Sequence, residues 1–294
     1  MTVDPSVKDA SPIKGATFAT IAKLAKSEAG LVLPEGKMTM VQSRLRARIR
    51  AMGLPDINAY AKYVASNDGI AERRNMISAL TTNVSHFFRE SHHFDILRHQ
   101  VLPTLVERAA SGGRVRIWSA GCSSGQEPYS IAMTLLSAAP VLSHRDVLVL
   151  GSDIDPRILN AAEAGRYSEQ QISGIPEPMR RDFLKPAGDG EYEVQTNVRK
   201  LVRFRELNLH RDWPMRSAFD VIFCRNVVIY FDLAAQAALW PRFHKVLAPD
   251  GWFFLGHSER ISDSALKLFQ SAGPTAYKPL TSTPPSVPIL FDEE

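Results

Sequence analysis

The stretch that decides the fold is VRIWSAGCSSGQEPYS, residues 115–130. It reads as a short apolar strand that breaks at a turn containing Gly121 and Gly125 and restarts as a helix with Pro128 in its first turn. A strand, a glycine-containing turn and a helix N-terminus form a place where the backbone comes close to a ligand. The stretch therefore predicts an α/β fold with a ligand site at the turn.

Strand and helix patterns alternate after this stretch, which indicates a doubly wound, mostly parallel sheet. The predicted strands cover residues 115–119, 146–151, 201–204, 219–224 and 252–255, and a last helix and a strand near 275–278 complete the series. Such sheets bind ligands outside the carboxyl ends of their strands. Polar clusters follow the strands at this edge, at Asp153, at Asn208 and at Arg225 with Asn226.

The first third of the chain shows only helical spacing of apolar residues. We expect a helical N-terminal domain at 17–90, and an α/β domain at 91–280 with a small antiparallel insertion near 180–200. The terminal segments, 1–16 and 281–294, are polar and contain prolines, so they are expected to be disordered.

Composition narrows the class of protein. The 294 residues suffice for two domains, and the 45% hydrophobic content is typical of globular proteins. The two cysteines, Cys122 and Cys224, match neither a disulfide framework nor a zinc pattern, so we expect no metal. Without an apolar signal-peptide run or a stretch long enough to span a bilayer, a cytoplasmic protein with no membrane insertion is expected, and we expect a monomer. A net charge of +4 is too small to indicate nucleic acid.

The residues of the turn limit the classes of ligand that fit the site. A dinucleotide site would show a Gly-x-Gly-x-x-Gly pattern, whereas here Glu127 stands where a pyrophosphate would need backbone amides. A carboxylate there favours a cation or a zwitterion, and Asp153 suits the two hydroxyls of a ribose. S-adenosylmethionine meets both requirements, since it is a nucleoside that carries positive charge and has no phosphate. A nicotinamide dinucleotide, which would make the protein an oxidoreductase, is the less favoured alternative.

Six motifs extend this interpretation. They are TNVSHFFRE at 82–90, AGCSSGQEPYS at 120–130, SDID at 152–155, NL at 208–209, FCRNVVIYF at 223–231 and GHSE at 256–259. In their order and over about residues 17–280, they resemble the chemotaxis receptor methyltransferases, the CheR family. Two positions depart from that pattern, since Ser85 replaces the usual threonine and Gln126 a frequent glutamate.

The resemblance implies both an activity and a set of site residues. Family members transfer methyl from S-adenosylmethionine to glutamates of chemoreceptors, giving glutamate methyl esters. By resemblance the cofactor is bound by Asn83, Ser85, Arg89, Gly121, Glu127, Asp153, Asn208, Leu209, Arg225 and Asn226. Arg89 and Tyr230 are the catalytic candidates, with Arg89 on the cofactor carboxylate and Tyr230 on the substrate side. An ionised glutamate is already a nucleophile, so the reaction needs alignment more than a strong base.

Each of these residues also fits a structural role when taken alone. Glu127 could complement the helix dipole, Asp153 could cap the next helix, and Tyr230 could be a core aromatic. Ordinary structural roles also suit the remaining polar candidates: Asn83 and Ser85 as caps, Arg89 at the surface, and Arg225 and Asn226 at a strand end. An alternative function is therefore a catalytically silent signalling scaffold that binds S-adenosylmethionine.

The predicted helix at about 37–52 is rich in arginine and contains no acidic residue. Lys37, Arg44 and Arg48 flank its apolar stripe, and we expect them to bind acidic receptor helices. A solvated basic face is the structural alternative, and nucleic acid binding is disfavoured because no aromatic residues interleave. In some members of the family that the chain resembles, a small β subdomain at this insertion binds a receptor's C-terminal peptide. The turn region at 188–190 is shorter here by a few residues, so no tight binding of such a peptide is expected.

Overall fold

The computed structural model describes residues 12–215 and 217–280. Four helices come first: α1 Gly15–Ala29, α2 Met38–Ala51, α3 Ile57–Ala65 and α4 Ile70–Leu80, with a 3-10 turn Glu35–Lys37 before α2. Their apolar faces form one core, to which the predicted stripe of α2 contributes Val41, Leu45 and Ile49. The N-terminal all-α region is therefore confirmed.

The helical region includes residues before the expected boundary at residue 17. Ile13 is buried, its amide donates to Gln42 Oε1 at 3.2 Å, and α1 begins at Gly15. Within the segment expected to be disordered, residues 12–16 thus belong to the helical region, because Ile13 completes its core. Residues 1–11 and 281–294 lie outside the described part of the chain.

A long helical segment connects the two regions. It consists of α5 His92–Ile96, a π-helical turn Leu97–Val101 and α6 Leu102–Ala110. The π turn interrupts the regular α-helical hydrogen bonding between α5 and α6. Pro103 lies in the first turn of α6, where a residue without a backbone N–H is tolerated.

The remaining chain forms two sheets. The strands are β1 Val115–Ala120, β2 Val147–Asp153, β3 Arg166–Ser168, β4 Leu184–Gly188, β5 Glu191–Val194, β6 Val202–Glu206, β7 Phe219–Cys224, β8 Leu247–Leu255, β9 Phe269–Gly273 and β10 Ala276–Pro279. The helices are α7 Gln126–Ala138, α8 Pro156–Ala164, α9 Glu169–Ile172, α10 Glu177–Phe183, α11 Thr196–Leu201 and α12 Leu233–Val246. Further 3-10 turns are Pro140–His144, Val228–Tyr230 and Asp263–Ala265.

The large sheet has the strand order β6-β2-β1-β7-β8-β10-β9. Strands β6, β2, β1, β7 and β8 pair in parallel, while β10 is antiparallel to both of its neighbours. Successive residues of β1 enter different cores, Ile117 one and Trp118 the other, so helices cover both faces. The doubly wound, mostly parallel α/β sheet is confirmed.

Two sequence-based expectations need correction. The predicted last helix is wrong, because residues 263–265 form only a 3-10 turn. Strand β9 follows this turn at the edge of the sheet and buries Phe269. The insertion is antiparallel, but it extends beyond 180–200, because β3 Arg166–Ser168 pairs with β5 to give a three-stranded sheet of order β3-β5-β4. A three-residue strand is too short to be recognised from alternation.

Candidate active site

A cleft lies where the carboxyl ends of the parallel strands meet the helical region. It holds about 1030 Å³ of empty space, part of which is open solvent. Every residue predicted to bind the cofactor or to act in catalysis lines this cleft: Asn83, Ser85, Arg89, Gly121, Glu127, Asp153, Asn208, Leu209, Arg225, Asn226 and Tyr230. Lys37, Arg44 and Arg48 do not line it.

The glycine turn after β1 is shaped by close approach. Gly121 has a φ of +76°, and a Cβ there would collide with the side chain of Val227. Its amide donates to the carbonyl of Ser152 at 2.8 Å, which ties the turn to the end of β2. Only glycine satisfies both the left-handed backbone and the contact.

Asp153 ends β2 and organises the next loop. Its Oδ2 accepts from the amide of Ser123 at 2.9 Å and its Oδ1 from the amide of Asp155 at 3.0 Å. Ser123, at a φ of +52°, donates through Oγ to the carbonyl of Asn83 at 2.9 Å. Burial raises the pKa of Asp153 above its ordinary value. The carboxylate therefore joins the glycine turn to the segment that leaves the helical region.

A buried guanidinium occupies the end of β7. Arg225 lies 3.3 Å from the carboxylate of Glu127 and 3.5 Å from that of Glu90, and it donates to the carbonyl of Arg89. Its Nε and Nη1 are buried, and neither has a hydrogen-bond partner among the described residues. Unsatisfied buried donors are rare in native structures, which makes this guanidinium a candidate anchor for a ligand.

The pKa values of the two acids beside Arg225 are shifted in opposite directions. Burial raises the pKa of Glu127, although Arg225 and a 2.7 Å hydrogen bond from Ser119 Oγ oppose the rise. Burial alone would also raise the pKa of Glu90, but Arg225 and His257 outweigh it and hold that pKa below its ordinary value. Glu127 is thus the acid that gains more from an additional cation.

Glu90 also belongs to a group that could bind a metal ion. One ligand atom each from Glu90, His92 and His93 lies within 4.8 Å of the others. No metal was expected because the chain shows no recognised ligand spacing. Arg225 already neutralises Glu90 from 3.5 Å, and a second cation beside it would be repelled.

The helical region closes one side of the cleft. Asn208 Nδ2 donates to the carbonyl of Glu28 at 2.7 Å, and the amide of Val32 donates to the carbonyl of Tyr230 at 2.9 Å. Lys26 and Asp232 form an ion pair of 2.7 Å beside these contacts. The loops after β6 and β7 are therefore fixed against the C-terminal end of α1.

The arginines predicted to bind the receptor have internal partners. Arg48 makes a bidentate pair with the buried Glu72, at 2.8 and 2.7 Å. Arg44 donates to the carbonyls of Leu80 and Thr81 at 2.6 and 3.0 Å, at the C-terminus of α4. Both side chains hold the helical region together, whereas Lys37 is exposed.

The cleft also contains residues that the sequence analysis did not single out as site residues: Ala29, Leu31, Thr81, Thr82, Val84, His86, Phe94, Ser123, Ile154, Leu207, Val227 and Phe231. Most stand next to a predicted residue in the chain, so an extension by one position along each motif would have found them. Ala29, Leu31 and Phe94 come from helices and a loop whose approach to the sheet has no local sequence signal.

The arrangement fits S-adenosylmethionine. Glu127 and Arg225 offer opposite charges for an ammonium and a carboxylate, and Asp153 is the last residue of β2, where ribose hydroxyls are bound in such sheets. The glycine turn at Gly121 lets the ligand approach the backbone. A mostly parallel seven-stranded sheet with this cleft defines the class of S-adenosylmethionine-dependent methyltransferases.

Comparison with known proteins specifies the family. Residues 83–277 match the CheR methyltransferase SAM-binding domain and residues 16–81 the CheR methyltransferase all-alpha domain. The chain therefore belongs to the CheR methyltransferase family, as the six motifs indicated. It is an S-adenosylmethionine-dependent methyltransferase, and S-adenosylmethionine as its cofactor is confirmed.

Curated relatives agree over most of the chain. A probable chemotaxis protein methyltransferase of Rhizobium etli is 48% identical over 255 residues, which cover 86% of this chain and 95% of the relative. The chemotaxis protein methyltransferase of Salmonella typhimurium is 39% identical over 270 residues, covering 90% of each chain. Among the described residues, no helix is both long enough and apolar enough to cross a membrane.

Proposed function

We propose that this protein transfers methyl from S-adenosylmethionine to the side-chain carboxylates of specific glutamates in chemoreceptors. The products are glutamate 5-O-methyl esters and S-adenosylhomocysteine, formed in the cytoplasm for chemosensory adaptation. One observation carries the proposal: the anchors after β1, β2, β6 and β7 line a single cleft with Tyr230, and the helical region closes it. The names of the curated relatives support the chemotactic role.

The proposed cofactor contacts follow the charges of the cleft. Arg89 is proposed to bind the carboxylate of the methionine end, and Arg225, whose Nε and Nη1 lack hydrogen-bond partners among the described residues, lines the same cleft. Glu127 attracts the ammonium and sulfonium, and Asp153 binds the ribose hydroxyls. The other cofactor contacts come from Asn83, Ser85, Gly121, Asn208, Leu209 and Asn226.

The bound cofactor supplies an electrophilic methyl group, and the residues of the chain supply alignment. A glutamate carboxylate is ionised at neutral pH, so it attacks without a strong general base. Tyr230 lines the cleft, and the amide of Val32 donates to its backbone carbonyl; we propose that its hydroxyl orients the incoming carboxylate. The reaction joins an anion to a cation, so a cleft that excludes water favours it.

The basic helix α2 is proposed to receive the acidic receptor helix. Lys37 presents its charge at the surface, while Arg44 and Arg48 contribute positive potential from fixed positions. Arg44 also donates to Thr82 Oγ1 at 2.9 Å, and Thr82 lines the cleft. Helix α2 is thereby in direct contact with the segment that bears Asn83 and Ser85.

One experiment tests the proposed reaction. The protein is incubated with radiolabelled S-adenosylmethionine and receptor-containing membranes, and the labelled receptor is then treated with mild base. We expect label on the receptor that base releases as methanol, because a methyl ester hydrolyses readily. Base-stable label would indicate a different acceptor group, and an unlabelled receptor in the presence of measurable cofactor binding would favour the silent scaffold.

The small sheet is proposed not to bind a receptor's C-terminal peptide tightly. Gly188, Asp189 and Gly190 all have positive φ angles and form a tight turn between β4 and β5. A short turn offers little surface beyond the edge of β4. We expect calorimetry with such a peptide to give no binding at micromolar concentrations; a micromolar dissociation constant would contradict this.

A further inference from the structure

Glu259 is a buried acid that lies outside the cleft. It follows β8 in the loop 256–259, and only 3% of its surface is exposed. It does not line the cleft and takes no part in the contacts proposed above for the cofactor. Among the described residues no cation forms a salt bridge with it, so hydrogen bonds must stabilise the buried carboxylate, and their donors show which segments it holds in place.

Four backbone amides donate to this one carboxylate. Oε2 accepts from Asn226 at 2.8 Å and from Gly256 at 2.7 Å. Oε1 accepts from Val227 at 2.8 Å and from Ile229 at 3.3 Å. Three of the donors belong to the loop after β7, which contributes Asn226, Val227 and Tyr230 to the cleft.

The loop after β7 has a conformation that needs such support. Asn226 adopts a φ of +59°, in the left-handed region that non-glycine residues seldom occupy. The side chain of Val227 lies against Gly121, where a Cβ would collide with it. The position of this loop therefore sets the width of the cleft at the glycine turn.

The loop after β8 is shaped to fit. A Cβ on Gly256 would lie 2.8 Å from the amide nitrogen of Asn226 and 2.8 Å from Glu259 Oε2. The two loops are thus in backbone contact, and a glycine is required between the carboxylate and its donors. His257 in the same loop contacts Glu90 through Nδ1 at 3.1 Å, so the loop supports Arg225 from a second side.

We infer that Glu259 is a positioning residue for cofactor binding: its carboxylate holds the loop 226–229 in the shape that completes the cleft. The inference rests on the proposed cofactor cleft but not on the identity of the methyl acceptor. Glu259 touches neither reactant and acts through the amides of Asn226, Val227 and Ile229.

The first test replaces the carboxylate. Glu259→Gln keeps the size of the side chain but directs an NH2 group, which cannot accept, at two of the amides. We expect the dissociation constant for S-adenosylmethionine, measured by calorimetry, to rise about tenfold or more, since hydrogen bonds to charged groups are strong. Glu191→Gln, an exposed position on β5, is the matched control and should bind as the wild type does. Affinity within twofold of wild type in a folded Glu259→Gln protein would overturn the inference.

A second test needs no variant and separates positioning from general stability. Amide hydrogen exchange of the wild-type protein is measured with and without S-adenosylmethionine. We expect the cofactor to slow exchange at 226–229 and at Gly256 together, because binding stabilises the loop that Glu259 holds. Slower exchange at 121–127 and 153–155 without change at 226–229 would overturn the inference and leave the proposed cleft intact. No change at any of these segments would instead contradict the cleft itself.

Discussion

Arg225 lies between the carboxylates of Glu127 and Glu90 and interacts with both. A bound cationic ligand would change the electrostatic balance among these three groups. The guanidinium of Arg225 lies 3.3 Å from Glu127 and 3.5 Å from Glu90, yet the pKa of Glu127 is raised and that of Glu90 is lowered. His257 supports Glu90 from 3.1 Å, whereas burial dominates at Glu127. The ionised form of Glu127 is therefore held at a cost to stability that a cationic ligand would relieve.

Glu127→Gln should separate binding from stability. Because the folded pKa of Glu127 is raised, the folded state binds its proton more tightly than the unfolded state does. The stability that this residue contributes is present below its unfolded pKa of 4.5 and is lost as the pH rises through the folded pKa. At pH 7 without cofactor, we expect the free energy of unfolding of Glu127→Gln to equal or exceed that of the wild type.

The same variant should bind the cofactor poorly. Loss of the carboxylate removes the attraction for the ammonium and sulfonium, and we expect at least a tenfold rise in the dissociation constant for S-adenosylmethionine. Denaturant unfolding at pH 4 to 8 and calorimetry at pH 7 measure the two effects. Glu163→Gln, on the exposed face of α8, serves as the control. Unchanged affinity would remove Glu127 from the proposed cofactor contacts.

His93 is expected to destabilise the protein in mild acid. Its side chain is fully buried, with Nε2 at 2.9 Å from Thr275 Oγ1, and burial together with Arg225 lowers its pKa to about 3. Between pH 6.5 and 3 the unfolded state binds the proton that the folded state refuses, so stability falls as the pH falls. The slope contributed by one group is at most about 1.4 kcal/mol per pH unit.

This prediction is measured as a difference between variants. The free energy of unfolding of the wild type and of His93→Gln is followed from pH 7 to pH 5, and the fall should be smaller in His93→Gln. His99→Gln, exposed on the same helical segment, should retain the wild-type slope. Equal slopes for the wild type and His93→Gln would show that His93 does not titrate differently on folding.

At the scale of elements, α2 is held by a polar network beneath its basic surface. Glu72 on α4 is buried and receives Arg48 at 2.7 Å, Tyr60 Oη at 3.0 Å and Asn75 at 2.9 Å. Burial raises the pKa of Tyr60, which keeps its hydroxyl a donor. The network joins α2, α3 and α4. The positive charge of Arg48 on α2 is therefore part of the packing of the helical region and does not only face solvent.

Arg48→Ala should therefore destabilise the helical region. Removing one partner leaves Glu72 buried with neutral donors only, and we expect a loss of about 2–4 kcal/mol, below the upper range for buried pairs because Arg48 is partly exposed. Arg50→Ala removes an exposed arginine from the same helix and should change stability by less than about 0.5 kcal/mol. Urea unfolding compares them, and equal losses would show that the network contributes little.

The elements also show what sequence can and cannot predict. β7 was predicted at its observed bounds; the apolar run 221–224 marks its burial, and Arg225 and Asn226 mark its end. The cleft residues were predictable because they follow strands, and parallel strands bring their carboxyl ends together. The partners of Arg44 and Arg48 could not be predicted. These partners lie 24 to 38 residues away in the chain, and their positions depend on how the helices pack. The role of Glu259 could not be predicted either, because the amides of Asn226 and Val227 that it binds are more than 30 residues away in the chain.

At the scale of the whole molecule, the methyl donor and its acceptor are expected to enter from different regions of the chain. The sheet supplies Glu127, Asp153 and Arg225, and the helical region closes the cleft through Asn208 with Glu28. The basic α2 lies in that helical region and contacts the cleft through Arg44. Docking at α2 would thus bring an acidic helix beside the cofactor rather than over the sheet.

Lys37→Glu should slow receptor methylation without weakening cofactor binding. Lys37 is exposed just before α2, so reversing its charge repels an acidic helix and leaves the buried network of Glu72 unchanged. We expect a two- to tenfold lower rate, roughly, at low salt. The deficit should shrink toward 1 M salt, where the Debye length falls to about 3 Å. Lys62→Glu on α3 changes the net charge equally and should have a smaller effect. Equal effects of the two variants, or a deficit that salt does not reduce, would place the dock elsewhere on the protein.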